Sequence, residues 1–343
     1  MAKAATARKR PRKRETPGRE GLRVRRFDAD RKDQVLDLDE AVSARPTERQ
    51  LVWIDIGGEP EPGEIERVAE AFKLDPQTRR LLEHPERLPH LGIHGGYLHV
   101  GVAAEPNDER PGETPWLDVI GGENVVITRH EAAIAFLDDM DDRIELDTSF
   151  GMLDAGTFVS SLLDAAVTSY FRAVDAIEDE VDRLDAKSLR DDGRHQLLDD
   201  LVALRRRIAR LRRVITDHRQ VFATLGGAEI AQVTDNPDSA PAFQAVAARF
   251  ENALGAVEDA RDVLLGSFEV YMTRTAQRTN DVMKVLALAT VLLLPGSLAA
   301  GLLGMNVTVP LSKDDPLSFW LVVTGVALFA VLILVIARLR RWL

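Results

Sequence analysis

The stretch TNDVMKVLALATVLLLPGSLAAGLLGMN, residues 279–306, decides the fold of this chain. Within it and just beyond, residues 285–312 contain no charged side chain across 28 positions. A bilayer core of about 30 Å is crossed by roughly 20 apolar helical residues, so this run is long enough to span a membrane once. It is also rich in small and hydroxylated residues, which let helices pack closely or face a polar lumen. We therefore expect a membrane helix on the inner, pore side of an assembly.

A second apolar run follows at residues 317–337, where 21 positions carry no charge and Val, Leu, Ile and Phe dominate. Two such runs in close succession predict two membrane spans rather than buried core helices. Lys284 precedes the first run and three arginines follow the second, whereas the loop between the runs has a net charge of −1. The positive-inside rule then predicts a multi-pass protein of the cytoplasmic membrane with both termini in the cytoplasm.

Charge is distributed unevenly along the chain. Residues 1–26 hold 11 Lys and Arg against 2 Glu, whereas residues 27–280 hold 28 basic and 50 acidic side chains. We expect residues 1–33 to form a disordered basic tail that is solvated or touches anionic lipid. Nucleic acid is not an expected partner, because no aromatic or folded platform accompanies these charges. The absence of Cys excludes disulfides, thiolate zinc sites and cysteine nucleophiles.

The region before the membrane runs has two parts with different sequence patterns. Residues 62–84 have apolar side chains at helical spacing, and four segments are rich in β-forming residues and bounded by Gly, Pro or Asn. Those four segments are 51–56, 97–103, 116–120 and 124–130. The sequence therefore predicts an α/β or α+β domain over residues 34–156.

Long helices are predicted after residue 156. Residues 242–294 contain no Pro, so a helix of about 80 Å is expected to run without a break into the first span. Pro295, inside that span, predicts a kink or a tolerated break. The predicted segments are a helical part 157–240, a stalk helix 241–284, a first span 285–306, an outer loop 307–316, a second span 317–337 and a basic C-terminus 338–343.

The triplet Gly304-Met305-Asn306 ends the first of the two spans, follows a long helix and has TND and VMKVL upstream. In these features the chain resembles the CorA family of divalent metal-ion transporters, whose hallmark is this triplet. The match is specific over residues 267–343 and rests on layout over 50–266. The resemblance implies a homopentameric cytoplasmic funnel without a bound cofactor. It further implies an influx of divalent cations that the membrane potential drives and cytoplasmic metal gates.

The same resemblance assigns residues to an ion pathway. Asn306 would form the outer ring that meets the hydrated ion, and Met283 with Leu286 would form an apolar constriction that gates by dewetting. Glu269, on the stalk, is a candidate for concentrating cations near the inner mouth. The other implied pore-side residues are Asn280, Leu294, Ser297, Gly301, Gly304 and Met305.

Mg²⁺ is the favoured ion, but the sequence leaves alternatives open. Leu294 and Ser297 stand where magnesium-transporting relatives often have Met and Thr, and the loop after the triplet lacks their aromatic residue and Glu. This loop and the following Pro-Leu-Ser-Phe-Trp look closer to the ZntB branch, which is associated with zinc. The alternatives are therefore a proton-coupled Zn²⁺ transporter, transport of Co²⁺ or Ni²⁺, and, from another class, a non-conducting membrane-anchored metal sensor or scaffold.

Two groups of side chains could bind metal outside the spans. Four of the seven histidines lie within 16 residues, which suggests either a zinc-sensing or transfer site or a strand and turn with imidazoles on a half-exposed face. These are His84, His90, His94 and His99. The acidic runs are either solvated faces or sites for regulatory cytoplasmic Mg²⁺ between subunits. They comprise Asp138, Asp139, Asp141 and Asp142, and residues 178–185.

Enzymatic activity is not expected. The chain has no G-x-x-x-x-G-K-[ST] loop for nucleotide phosphates, so ATP hydrolysis is not predicted. His130 and Glu131 do not complete an H-E-x-x-H metalloprotease motif, because Ile134 stands where the second histidine is required.

Overall fold

The computed structural model describes residues 21–31, 33–43, 45–104, 114–144, 154–190, 194–227, 230, 239–304 and 316–340. The chain divides into two compact units, Met1–Leu264 and Leu265–Leu343. The first unit contains a sheet and long helices, and the second contains the two apolar helical segments.

A seven-stranded mixed sheet organises the described part of the first unit. The strands are β1 (Gly21–Asp28), β2 (Gln34–Val35), β3 (Gln50–Gly57), β4 (His90–His94), β5 (Tyr97–Ala103), β6 (Trp116–Gly122) and β7 (Val125–His130). Their order across the sheet is β2-β1-β3-β7-β6-β5-β4. Only β3 and β7 pair in parallel, while the other neighbouring strands are antiparallel. Strands β4 to β7 form an antiparallel meander, in which residues of β4, β5 and β6 are aligned side by side.

Helices cover both faces of this sheet. Three short ones, α1 (Leu38–Ser43), α2 (Glu64–Ala71) and α3 (Pro76–Glu83), contribute Leu38, Val68 and Leu82 to a core with the even-numbered side chains of β3. The opposite face packs against α5 (Ala155–Arg190), where Phe158 contacts Trp53 edge-on at 5.6 Å between ring centroids. The remaining helices are α4 (Ala135–Ile144), α6 (Arg194–Leu225), α7 (Ser239–Gly304) and α8 (Pro316–Leu339).

The long helices of the first unit pack through apolar stripes and are joined by ion pairs. Phe222 of α6 and Phe250 of α7 stack with centroids 4.2 Å apart, and both are fully buried. Arg249 of α7 donates to Asp164 of α5 at 2.6 Å. Each buried Phe contributes roughly 1.5–3 kcal/mol, which exceeds the gain from a half-exposed ion pair. Aromatic burial therefore dominates this contact.

One prediction made from the sequence is wrong here and another gains detail. Residues 62–84, predicted to be helical, form the two helices α2 and α3, with Lys73 between them in a left-handed conformation (φ 51°). Asp75 then caps the second helix by accepting from the Gln77 N–H, and Pro76 occupies its first turn. The basic tail does not extend to residue 33, since β1 begins at Gly21 and pairs with β3. Residues 1–20 lie outside the described residues.

The second unit contains the end of α7 and the whole of α8. Helix α7 continues through Pro295 to Gly304 without interruption. Both segments are long and apolar enough to cross a membrane. The predicted combination of an α/β sheet domain, a long helix and two C-terminal apolar helices is thus confirmed.

Candidate functional site

The two apolar segments contact each other along one face of α7. Ala287, Leu288 and Val291 line a small cavity together with Ile333 and Ala337 of α8. Ala337 is buried by this contact. The apolar run of α7 is otherwise unburied in the single chain, so most of its surface requires lipid or further chains.

Most residues that the resemblance assigns to the pathway lie outside the contact with α8. At about 100° per residue, Leu286 and Ser297 are turned by roughly 160° and 180° from Leu288, whereas Leu294 is turned by only about 20° from Ala287, another residue of the contact. Met283, Leu286 and Leu294 are 59%, 61% and 60% exposed. These three side chains are therefore not covered by α8 in the single chain.

Polar groups on this helix are satisfied locally. The Thr290 hydroxyl donates to the carbonyl of Leu286 at 2.9 Å, which leaves its oxygen lone pairs free to accept. Pro295 has no N–H to donate to the carbonyl four residues earlier, yet the helix is maintained. Serine, glycine and threonine on this surface provide polarity and space without charge.

The N-terminal end of the apolar run carries an ion pair between described side chains. Lys284 lies 2.8 Å from Asp281, so the two charges adjacent to the span partly neutralise each other. Asn280 and Glu269 are both exposed on α7. Met305, Asn306 and residues 307–315 of the predicted loop 307–316 lie outside the described residues.

Two of the four histidines come together with an acidic residue in the sheet. The Nε2 atoms of His90 and His99 lie 3.3 Å apart, and Oδ1 of Asp118 lies 3.1 Å from Nε2 of His99. His99 and Asp118 each expose 1% of their side chains, whereas His90 exposes 24%. Burial, followed by the neighbouring His99, lowers the pKa of His90, so this imidazole is neutral at neutral pH.

The other two histidines lie apart from this group. His94 stacks on Tyr97 with ring centroids 4.6 Å apart, and its Nε2 is 3.4 Å from the Thr78 hydroxyl. His84 is an exposed residue that ends α3. Asp118 was not among the candidates chosen from the sequence. The available signal was an acidic residue inside the apolar segment WLDVI, 116–120.

The acidic runs have no common arrangement among the described side chains. On α5 the acidic residues Glu178, Asp179, Asp182 and Asp185 are exposed and alternate with the buried Ile177, Val181 and Leu184. This is the pattern of an amphipathic helix with a solvated face. On α4, Asp138 and Asp139 are described, and the side chains of Asp141 and Asp142 lie outside the described set.

Comparison with known proteins decides the family. The family described as "CorA-like Mg2+ transporter protein" matches residues 48–341. The chain belongs to this CorA family. The cobalt/magnesium transport protein CorA of Thermotoga maritima is 25% identical over 301 residues, covering 85% of this chain and 83% of that protein.

Solved structures agree on the fold. The CorA magnesium transporter of Methanocaldococcus jannaschii superposes with a TM-score of 0.72, covering 94% of this chain and 98% of its own at 19% identity. The cytoplasmic domain of ZntB from Vibrio parahaemolyticus has a TM-score of 0.57, covering 75% of this chain and 99% of its own at 11% identity. The first unit's fold is thus shared by CorA and ZntB proteins and does not choose between their ions.

Membership of the CorA family establishes the general function. The chain is a divalent cation transporter with a membrane location and is not an enzyme, as the sequence predicted. Its two apolar helices supply the membrane-spanning part.

Proposed function

We propose that this CorA-family chain forms a homopentameric channel that admits Mg²⁺ to the cytoplasm and is gated by cytoplasmic metal. The observation that carries the proposal is the uncharged, exposed surface of α7, whose last residue, Gly304, is followed in the sequence by Met305 and Asn306. One chain with two spans cannot enclose a conducting path. A closed ring of identical subunits buries such a face symmetrically and places it around an axis.

Each class of residue on this face would act differently on the ion. Asn306 amides at the outer end would hydrogen-bond the water of a hydrated Mg²⁺, which sheds its waters reluctantly. Ser297 and Gly301 would leave room for the hydrated ion further in. Met283 and Leu286 would form a ring that excludes water when narrow and so stops conduction.

The membrane potential is a sufficient driving force. Moving one charge across 100 mV contributes about 2.3 kcal/mol, so a divalent ion gains about 4.6 kcal/mol. A carboxylate ring would bind such an ion tightly and slow its release, whereas neutral amides would not. Exposed acidic side chains, such as Glu269 on α7 and those on α5, would concentrate cations on the cytoplasmic side. Between subunits they would also respond to the cytoplasmic Mg²⁺ concentration.

The proposal is tested by flux into liposomes that contain the purified protein. Mg²⁺ and Zn²⁺ entry are measured separately, with an imposed potential alone and with a pH gradient alone. Mg²⁺ entry that follows the potential is the expected result. Zn²⁺ entry that requires the pH gradient would instead support the ZntB-like alternative, which the departures in the loop after Asn306 favour.

A substitution separates a channel from a non-conducting sensor. We expect Asn306→Ala to reduce Mg²⁺ influx by at least an order of magnitude, because the hydrated ion loses its first ring of amide partners. Ser312→Ala, in the same predicted loop, is the matched control and should conduct normally. Unchanged influx in a folded Asn306→Ala protein would contradict the pore assignment.

A further inference from the structure

The sheet brings metal-ligating side chains together at a place unrelated to the proposed pore. Strand pairing aligns His90 of β4 with Gly101 of β5, and Gly101 with Asp118 of β6. His99 precedes Gly101 by two residues and therefore lies on the same face of the sheet. Three adjacent strands thus direct two imidazoles and one carboxylate around the position of Gly101.

The three nearest ligand atoms form an almost regular triangle. Nε2 of His90 and Nε2 of His99 are 3.3 Å apart, and Oδ1 of Asp118 is 3.1 Å from the His99 nitrogen and 3.5 Å from the His90 nitrogen. In a tetrahedral zinc site with bonds of about 2.0–2.1 Å, two ligand atoms are separated by about 3.3–3.4 Å. The observed edges match one face of such a tetrahedron.

The absence of a side chain at Gly101 leaves the space in which the His90 ring reaches the other two ligands. A Cβ atom at this position would lie 2.3 Å from Cε1 and 2.5 Å from Nδ1 of His90. Because glycine has no side chain, the imidazole of His90 lies directly over the backbone of β5. A larger residue would displace this ring from the other two ligands.

The tautomer of His90 suits a metal ligand. Its Nδ1 lies 3.1 Å from the carbonyl oxygen of Leu88, which can only accept a hydrogen bond. Nδ1 therefore carries the proton, and Nε2 presents a lone pair to His99 and Asp118. Metal-bound histidines commonly donate their second ring N–H to a carbonyl in this way.

Asp118 provides an independent sign of a missing ligand: Arg129 lies opposite it on β7 and interacts with it electrostatically, but one carboxylate oxygen has no hydrogen-bond partner among the described residues. The Asp118 side chain is 1% exposed, and the oxygen without a partner is Oδ2. Asp55, a buried carboxylate on β3, has Oδ1 bonded to Thr128 and Oδ2 bonded to Arg23. An unpaired oxygen on a buried carboxylate is costly, and a bound cation would remove that cost.

We propose that His90, His99 and Asp118 bind a transition-metal cation of the Zn²⁺ class, with Co²⁺ and Ni²⁺ as substitutes. Imidazole nitrogens select such ions, whereas Mg²⁺ prefers an all-oxygen shell. Three protein ligands leave a fourth position for water or for Oδ2 of Asp118. The metal would join β4, β5 and β6 at one edge of the sheet, and it enters from the side of the partly exposed His90.

This site is independent of the proposed pore. Its ligands come from the sheet of the first unit, and its chemistry excludes Mg²⁺, the ion favoured for transport. Zinc would therefore stabilise the sheet domain through a site that the transported magnesium does not occupy.

Zinc retention by the untagged full-length protein in detergent tests the proposal. Wild type, His90→Ala, Asp118→Asn and the control His84→Ala are equilibrated with Zn²⁺, desalted and analysed for bound metal per chain. The control removes an exposed histidine of the same segment that lies outside the triangle. We expect wild type and His84→Ala to retain one more zinc per chain than the other two variants, whose affinity falls by at least about tenfold.

Two further readouts distinguish ligation from folding defects. Co²⁺ bound to wild type should show the intense visible absorption of a tetrahedral site, and Asp118→Asn, which preserves side-chain volume, should lose it. Zn²⁺ but not excess Mg²⁺ should raise the thermal midpoint of wild type and of His84→Ala. Equal zinc content in folded wild type and His90→Ala, or an equal midpoint shift in all four proteins, would overturn the assignment.

Discussion

Ala103, at the end of β5, shows how single side chains attach the sheet to the helices. Its N–H donates to Nε2 of His218 on α6 at 2.7 Å, and its carbonyl accepts from the hydroxyl of Tyr170 on α5. Tyr170 is fully buried and His218 is almost so. Burial raises the pKa of Tyr170, so the hydroxyl keeps the proton that it donates.

The protonation state of His218 is set by its surroundings. Nδ1 donates to the carbonyl of Val214 at 2.6 Å, so Nε2 must be unprotonated to accept from Ala103. Burial lowers the pKa of His218 below its ordinary 6.5, against smaller opposing effects of the Val214 carbonyl and Asp217. The unfolded chain therefore binds a proton more readily than the folded one at pH values just below 6.5.

Replacement of His218 should affect both stability and its pH dependence. We expect His218→Leu to lower the free energy of unfolding by about 1–3 kcal/mol, because the buried Ala103 N–H loses its acceptor. His218→Gln, whose amide oxygen can accept, should lose less. Stability of wild type should fall as the pH drops below 6.5, since a lowered folded pKa means that its contribution is present above 6.5 and lost on acidification. Thermal midpoints from pH 5 to 8 measure this.

A shallower acid loss in His218→Gln than in wild type is the decisive comparison. His84→Gln, at an exposed histidine outside the network, serves as the control and should follow the wild-type profile. Identical slopes for wild type and His218→Gln would show that the buried imidazole is not responsible.

At the level of elements, α7 combines two environments in one helix. Its first part packs through Phe250 and Val257 against the helices of the first unit. Its last part exposes Leu286, Leu294 and neighbouring apolar residues. Helical hydrogen bonding is the same in both parts, so the backbone does not mark the change between them. The side chains do, because no charged residue occurs on the helix after Lys284.

A polar substitution at the proposed constriction on α7 should allow water to stay in it even when the channel is closed. Leu286→Ser replaces an apolar ring by a polar one, so we expect Mg²⁺ flux to rise several-fold when cytoplasmic Mg²⁺ is high and the gate is closed. Leu328→Ser, a matched change at an exposed site of α8, should leave the closed-state flux low. Liposomes loaded with Mg²⁺ and a fluorescent indicator measure this. A closed-state flux as low as that of wild type in Leu286→Ser would place the gate elsewhere.

At the scale of the molecule, one chain leaves most of the surface of its apolar helices exposed. The described membrane helices contact each other through Ala287, Leu288 and Val291 of α7, while the pathway candidates Met283 and Leu286 remain exposed. Lipid solvates an apolar face of this length. Its small residues, however, allow close packing against symmetry-related helices, and its polar residues can form hydrogen bonds to them.

A pentamer has a definite mass. Five copies of the 38.0 kDa chain give about 190 kDa, and native mass spectrometry from mild detergent should find this species. Asn306→Ala should give the same mass, because the substitution concerns ion binding rather than helix packing. A dominant dimer or monomer in both proteins would contradict the ring on which the pore assignment depends.

Some strands and helices of the first unit were predictable because they depend on the pattern of apolar and polar residues within one segment. The segment 97–103 is predicted as a strand and forms β5 with those bounds, whereas 62–84 is predicted only as helical and contains two helices. Helical periodicity persists across the break at Lys73, although Asp75 followed by Pro76 is a sequence signal for the start of a new helix. Strand β1 was missed because its arginines lie among apolar residues in a charged context, and β2 was missed because it has only two residues.

The sequence by itself determined the two apolar spans, the continuous helix before them and the family motif, because composition and period act over neighbouring residues. Only the tertiary structure decided that His90 and His99 meet Asp118 while His84 and His94 do not. Strand register is a non-local property, and a shift of one residue would turn the side chains of a strand to the other face. The grouping of metal ligands in the sheet therefore depends on how β4, β5 and β6 pair.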